Sequence, residues 1–323
     1  MPSTVSVVLN GKAKEMRISD LLSERIKVIA KEMGYHPNQT AVSLRTGRSR
    51  ILGLIVEDIS NVFFASLARS IEDEADALGY NVVYCSTENN DAKGRELVKM
   101  LLHRQVDGFL ITPTNGMRQE VKKLSEQGRP LVLMDRYFPG LEVPCVMTDN
   151  YIGIETAMNH LIEKGYSRIG FVTVDLDQVQ MQQREKAYLQ TMAAGGAEEP
   201  SRLVLKIPYK CKQELAVDAI KNFINKFPEL EALVFSTNYL GIYGLDSFKQ
   251  LEIPIPRGLA MICFDDHDIF RLHTPEITII EQPIHEIAKL SVQFLLRQIG
   301  SNQFNIKELQ AFEKPRMVLR SST

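Results

Sequence analysis

The sequence predicts an α/β protein, two doubly wound parallel-sheet lobes behind a small α-helical N-terminal head. Three observations predict it. From Ile51 onward, short and continuously apolar stretches alternate with helical ones, the pattern of parallel strands covered on both faces. The alternation then restarts: Lys164-Gly165-Tyr166 leads into Arg168–Val172 much as Leu78-Gly79-Tyr80 leads into Asn81–Cys85, so two similar lobes are expected. The charge is also divided. Residues 1–50 carry nine Lys and Arg against four Asp and Glu, and the rest of the chain carries 29 against 36. A net charge of −2 therefore hides a cationic head on an anionic body, which points to nucleic acid at the head and a solubilising surface elsewhere.

In the head, Val5, Val8 and Leu9 recur on one face of a short first helix, with Ser3, Ser6, Val7 and Asn10 turned away. A second helix follows a cap at Ser19, with Leu22, Ile26, Ile29 and Met33 at helical spacing. Two helices of this size do not close a core alone, so a further packing element is expected. Gly34 ends the second pattern, and Pro37 pushes His36 out of helical geometry. Asn38 caps a new helix that Gly47 closes. Ala41 and Leu44, three residues apart, share a face beside Arg45 and Arg48. About two turns is well short of the ~12–15 residues that hold a helix in water. Such a segment must fold against something. A small apolar wedge flanked by arginines suits a DNA minor groove; an ordinary interdomain linker accounts for the same residues equally well.

In the body, strands are expected at Ile51–Val56, Asn81–Cys85, Asp107–Ile111 and Leu131–Met134, with helices such as Phe64–Leu78 and Gly94–Arg104 between them. A second set follows at Arg168–Val172, Leu203–Lys206, Ala232–Phe235, Leu259–Cys263 and Thr278–Ile280. In such sheets ligands sit beyond the carboxyl ends of the strands, so two facing lobes make one cleft. The residues just after the strands are the candidates: Phe63 and Phe64, Asp135 and Arg136, Arg184, Asn238, Asp265 and Gln282. Each alone has the look of a cap or a core contact. Their arrival at one kind of position argues for a site, and guanidiniums, carboxylates, amides and aromatic faces suit a polyhydroxylated or anionic small molecule. The stretch Ile284–Ile299, with Ile284, Ile287, Phe294 and Leu295 on a stripe, is expected to be core.

Thr4-Val-Ser-Val-Val-Leu-Asn-Gly-Lys12, Gly34-Tyr-His-Pro-Asn38 and Leu44-Arg-Thr-Gly-Arg-Ser49 resemble the DNA-binding head and hinge of the lactose-repressor family of bacterial transcription regulators. The resemblance extends through the body in Val106-Asp-Gly108, Arg184 with Tyr188, Asn238 with Gly244, Phe264-Asp-Asp266, Pro275–Pro283 and Leu319-Arg-Ser321. It implies a helix-turn-helix whose recognition helix places Ser3, Thr4, Ser6, Val7 and Asn10 at a major groove. It also implies a hinge in which Asn38, Ala41, Leu44 and Arg45 meet the minor groove. For the body it implies a periplasmic-binding-protein-like core, with effector held by Phe63, Phe64, Arg136, Arg184, Asn238, Asp265 and Gln282. The implied division is a head at 1–37, a hinge and linker at 38–50, one lobe at 51–150 with 284–311, and the other at 151–283 with 312–323. Four departures stand out. The family's first helix and turn are missing, so the chain reads as though it began inside the motif, with a misplaced start as the expected explanation. Val7 stands where an arginine is common, Tyr239 where an aspartate usually follows the asparagine, and Gln178–Gln183 where a loop of small residues is common.

Enzyme chemistry finds no footing: there is no phosphate-cradling glycine loop and no GxSxG elbow. Cys85, Cys145, Cys211 and Cys263 are scattered, without a CxxC pair or metal-ligand spacing, so reduced thiols, no metal and no cofactor are expected. Asp265-Asp-His-Asp268 follows a strand, where adjacent side chains diverge. No apolar run approaches the ~18 residues of a membrane span. The expectation is a cytoplasmic, ligand-gated DNA-binding regulator, with a palindromic duplex operator, a sugar-like effector and a second copy of the chain as its partners. The absence of a terminal leucine heptad argues for a dimer over a tetramer. The alternative is a cytosolic sugar-binding protein whose head no longer binds DNA.

Overall fold

A computed structural model describes residues 3–9, 11–35, 43, 46–301 and 305–323. The chain divides into two compact units, residues 1–50 and 51–323.

The described part of the first unit holds α1 (Thr4–Leu9) and α2 (Asp20–Glu32). Ser19 caps α2 as expected, its hydroxyl accepting from the Leu22 amide at 3.4 Å. The apolar face of α1 differs from expectation. Val7 and Val8 are buried at 7% and 2% exposure, while Val5 is 49% exposed. Val7 is therefore turned inward, away from any groove: one adjacent valine pair fills the contact that so short a helix makes with its neighbour. Ser3 and Thr4 are exposed and Ser6 half-buried. On α2 the apolar stripe forms but stays largely open, with Leu22, Ile29 and Met33 all exposed. Asn10, Asn38, Ala41, Leu44 and Arg45, and with them most of the expected hinge helix, lie outside the described residues.

The second unit begins with β1 (Ile51–Val56), α3 (Val62–Asp76), β2 (Asn81–Ser86), α4 (Asp91–His103), β3 (Gly108–Ile111), α5 (Arg118–Glu126), β4 (Leu131–Met134) and β5 (Cys145–Thr148). A second pass runs α6 (Asn150–Glu163), β6 (Ile169–Asp175), α7 (Val179–Ala194), β7 (Val204–Pro208) and α8 (Gln213–Lys226). It continues with β8 (Ala232–Phe235), α9 (Asn238–Gln250), β9 (Ala260–Phe264), α10 (Asp268–Leu272) and β10 (Thr278–Glu281). Then α11 (Ile284–Gly300) returns to the first sheet, β11 (Gln310–Glu313) extends it, and β12 (Arg316–Val318) closes the second.

The first sheet has the order β11-β5-β4-β3-β1-β2 and is parallel throughout; the second, β12-β10-β9-β8-β6-β7, is parallel except for the β10–β12 pair. Both are doubly wound. Apolar side chains of β1 alternate between two cores: Leu52, Leu54 and Val56 join α3 and α11 on one face, and Ile55 joins α4 and α5 on the other. Full burial of each such side chain stabilises by roughly 1.5–3 kcal/mol, so these faces fix which way the strand ends point. α11 seats Ile287, Val292 and Leu295 on the first sheet. Gly108 makes that seat possible, since a Cβ there would lie 2.8 Å from Leu295 Cδ1.

Three strands escape the sequence pattern. β5, β11 and β12 have three or four residues each, and such runs become strands only where a neighbouring edge accepts them. Because β11 pairs with β5 through Glu313, the chain leaves the first sheet after residue 313, two residues beyond the expected division at 311.

Candidate functional site

Glu57 and Asn61 follow β1, and Asn61 caps α3 by accepting from the Phe63 amide at 3.0 Å. That cap sets Phe63 and Phe64 on the first turn, in edge contact at 5.0 Å between centroids. Asp135 and Arg136 follow β4, Tyr209 follows β7, Thr237 and Asn238 follow β8, Asp265 follows β9, and Gln282 follows β10. Asp135 and Asp265 both take left-handed backbone, φ 62° and 72°, which lets the chain turn sharply at the strand end with the carboxylate inward. Residues 178–183 do not form a loop. They run into α7 from Val179, and Arg184 sits on that helix.

Apart from Val179, Gln182 and Gln183, these residues line one cavity of about 50 Å³ at the carboxyl ends of both sheets. The structure thus brings together all seven positions expected at a ligand: Phe63, Phe64, Arg136, Arg184, Asn238, Asp265 and Gln282. Arg184 is 2% exposed. Its Nε donates to Asn150 Oδ1 at 2.8 Å, its Nη1 donates to the Ser236 carbonyl, and its guanidinium carbon lies 3.5 Å from the Phe264 ring centroid. Gln282 bridges the lobes: it accepts from the Thr148 hydroxyl and donates to Asp265 Oδ1 at 2.6 Å. Burial raises the Asp265 carboxyl against the pull of Arg184. Burial likewise pushes Asp135 up to about 7, with Arg184 opposing and Asp265 reinforcing.

Arg136 is already committed within the protein. Its Nε donates to Asp135 Oδ2 at 3.1 Å, Nη1 to Asn89 Oδ1 at 3.3 Å, and Nη2 to Glu57. Burial brings its pKa down to about 9. The other Glu57 oxygen accepts from the Tyr209 hydroxyl at 2.8 Å, across the cleft. Burial pushes Tyr209 up to about 12, so it donates at neutral pH. Two further amides span the same gap: Gln178 Nε2 donates to Asn89 Oδ1 at 2.9 Å, and Asn238 Nδ2 donates to Asn61 Oδ1 at 3.4 Å.

Glu57, Gln180 and Tyr209 were not among the expected positions. Glu57 and Tyr209 carry the same signal as the others, a polar residue just past a strand. Asn150 lies behind β5, a strand the pattern did not reveal. The acidic run diverges as expected: Asp266 pairs with Arg320, His267 caps α10, and Asp268 pairs with Arg271. Among the described residues no three His, Cys, Asp or Glu are grouped to hold a metal ion, and no helix is long and apolar enough to cross a membrane.

Residues 158–323 match the family model of the periplasmic binding protein-like domain. The regulator KdgR of Bacillus subtilis is 28% identical over 305 residues, covering 93% of this chain and 88% of the relative. The ribose operon repressor of Escherichia coli K12 is 25% identical over 311 residues, covering 95% and 92%. Among solved structures, the transcriptional regulator CelR in its cellobiose complex superposes with a TM-score of 0.76 at 22% identity, over 99% of this chain and 95% of that one.

Proposed function

Because this chain belongs to the lactose-repressor family of transcriptional regulators, built on a periplasmic binding protein-like domain, we propose that it is a DNA-binding repressor gated by a small, sugar-like effector in the cleft. The observation that carries the reading is the buried set Arg184, Asp265 and Gln282, converging from α7 and the ends of β9 and β10 on a cavity walled by the other sheet. Donors and acceptors fixed by burial give a hydroxylated ring its orientation, and Phe63 and Phe64 offer an apolar face. Effector binding changes how the two lobes close, and in a homodimer that movement sets the spacing of two hinges. Hinges at the right spacing fold together in the minor groove of a palindromic operator, with Leu44 as the wedge and Arg45 at phosphate. The molecule is read as a cytoplasmic regulator, not as an enzyme.

Ligand-induced thermal stabilisation tests the cleft. A sugar that raises Tm in the wild type should lose that effect in Arg184→Ala and in Asp265→Ala, each of which removes a buried charge-assisted partner. A response retained in both variants places the ligand elsewhere. The alternative, a binding protein whose head has lost DNA, is separated by selecting duplexes from a random pool with the full chain. A palindromic consensus whose affinity falls steeply with salt and weakens in Leu44→Ala supports the regulator. Recovery of no sequence supports the alternative.

A further inference from the structure

The following rests on the cleft being the effector site and concerns which ligands it admits. Among the described residues its ionisable lining consists of three carboxylates, Glu57, Asp135 and Asp265, two guanidiniums, Arg136 and Arg184, and two tyrosines. Arg136 already donates from all three of its nitrogens, to Asp135, Asn89 and Glu57. The Glu57 side chain is 12% exposed and is held from the opposite lobe by Tyr209. We propose that Glu57 makes the cleft selective for neutral, hydroxyl-rich ligands over anionic ones, by filling the arginine fork that an incoming carboxylate or phosphate would need.

Two physical facts support this. An anion entering the closed cleft must either sit beside Glu57 and Asp265 in a low dielectric or expel Glu57 from Arg136, and both leave a buried charge poorly compensated. Several of the hydrogen-bonding groups left over are also acceptors. Gln180 is 2% exposed, and its Nε2 donates to Gln178 Oε1 at 3.0 Å. Its own Oε1 has no partner, although the residue lines the cavity. A buried amide oxygen left bare is costly, so it marks where a ligand donor belongs. The second oxygens of Asp135 and Asp265 likewise make no hydrogen bond to the protein among the described residues, beside two open donor groups, Nη2 of Arg184 and the Thr237 hydroxyl. Hydroxyls donate and accept; carboxylates and dianionic phosphates only accept.

Calorimetry on the full chain with matched pairs tests this: D-glucose against D-glucuronate, D-galactose against D-galacturonate, and D-ribose against D-ribose 5-phosphate. At least one neutral member should bind at least tenfold more tightly than its anionic partner. Glu57→Gln should shift that ratio by tenfold or more toward the anion, and Gln180→Ala should weaken the neutral member at least fivefold. Circular dichroism and unliganded Tm check that each variant is folded. Equal or tighter binding of the anion by the wild type, a ratio unmoved in Glu57→Gln, or no response to any of the six compounds overturns the proposal. Anion binding that Arg184→Ala abolishes defeats the charge filter and leaves the cleft assignment standing. Binding indifferent to Arg184→Ala defeats both.

Discussion

Asp135 is the residue whose environment most changes its chemistry. It sits at the end of β4 with its carboxyl pushed up to about 7, mainly by burial, against an ordinary value near 3.9 in the unfolded chain. A folded pKa above the unfolded one means that the folded state holds the proton more tightly. The associated stability is complete below about pH 4 and is lost as pH rises through 7. Asp135→Asn keeps an acceptor for Arg136 and tolerates the left-handed backbone. Its stability should therefore match the wild type near pH 3 and exceed it near pH 8, by on the order of 4 kcal/mol. Parallel Tm–pH curves for the two proteins would refute this. The same residue illustrates the limit of reading in one dimension. Its place after a strand was visible in the sequence; its charge state depends on Arg184 and Asp265, which are 49 and 130 positions away in the chain.

At the scale of elements, α9 is pressed against β8 because Gly244 leaves room: an added Cβ would lie 2.3 Å from Phe235 Cζ. Phe235 is fully buried and cannot swing away without opening the second lobe's core. Gly244→Ala should lower stability by roughly 1–3 kcal/mol, the usual cost of overpacking, measured as a reduced denaturant midpoint at unchanged slope. The apolar stripes of α3 and α11 and the main strands were legible because periodicity is a local property. Boundaries moved by a few residues, and β5, β11 and β12 were missed, because pairing with a neighbour decides whether three or four residues become a strand. The proposed hinge belongs at this scale as well. If 38–46 forms the proposed hinge helix, about two turns is too short to persist alone, so its amides should exchange freely in the unbound protein and become protected only with duplex present. Protection without DNA would remove the moving part from the repression mechanism.

For the whole molecule, the two sheets meet through polar contacts, not through a shared apolar core. Tyr209 to Glu57, Gln178 to Asn89 and Asn238 to Asn61 all cross the cleft. The two amide pairs are worth only about 0.5–1.5 kcal/mol net each and the bond to the Glu57 carboxylate about 1.5–3 kcal/mol, so a ligand that replaces them can reset closure within an ordinary coupling energy. If closure links effector to DNA, the coupling is reciprocal. Effector should change operator affinity by a factor of about 5–150, and operator should change effector affinity by the same factor. Unequal factors under matched salt would break the proposed linkage.

Local patterns in the sequence determined the alternating fold, the duplication, the charge division between head and body, and the strand-end positions where chemistry gathers. Each follows from the order of residue types along the chain. Tertiary structure decided the rest: that Val7 faces inward, that Arg136 is already taken by Glu57, that Gln180 keeps a bare oxygen, and that the chain leaves the first sheet after Glu313. Those outcomes depend on which distant groups meet in a low-dielectric interior, where a partner's presence or absence outweighs any local preference.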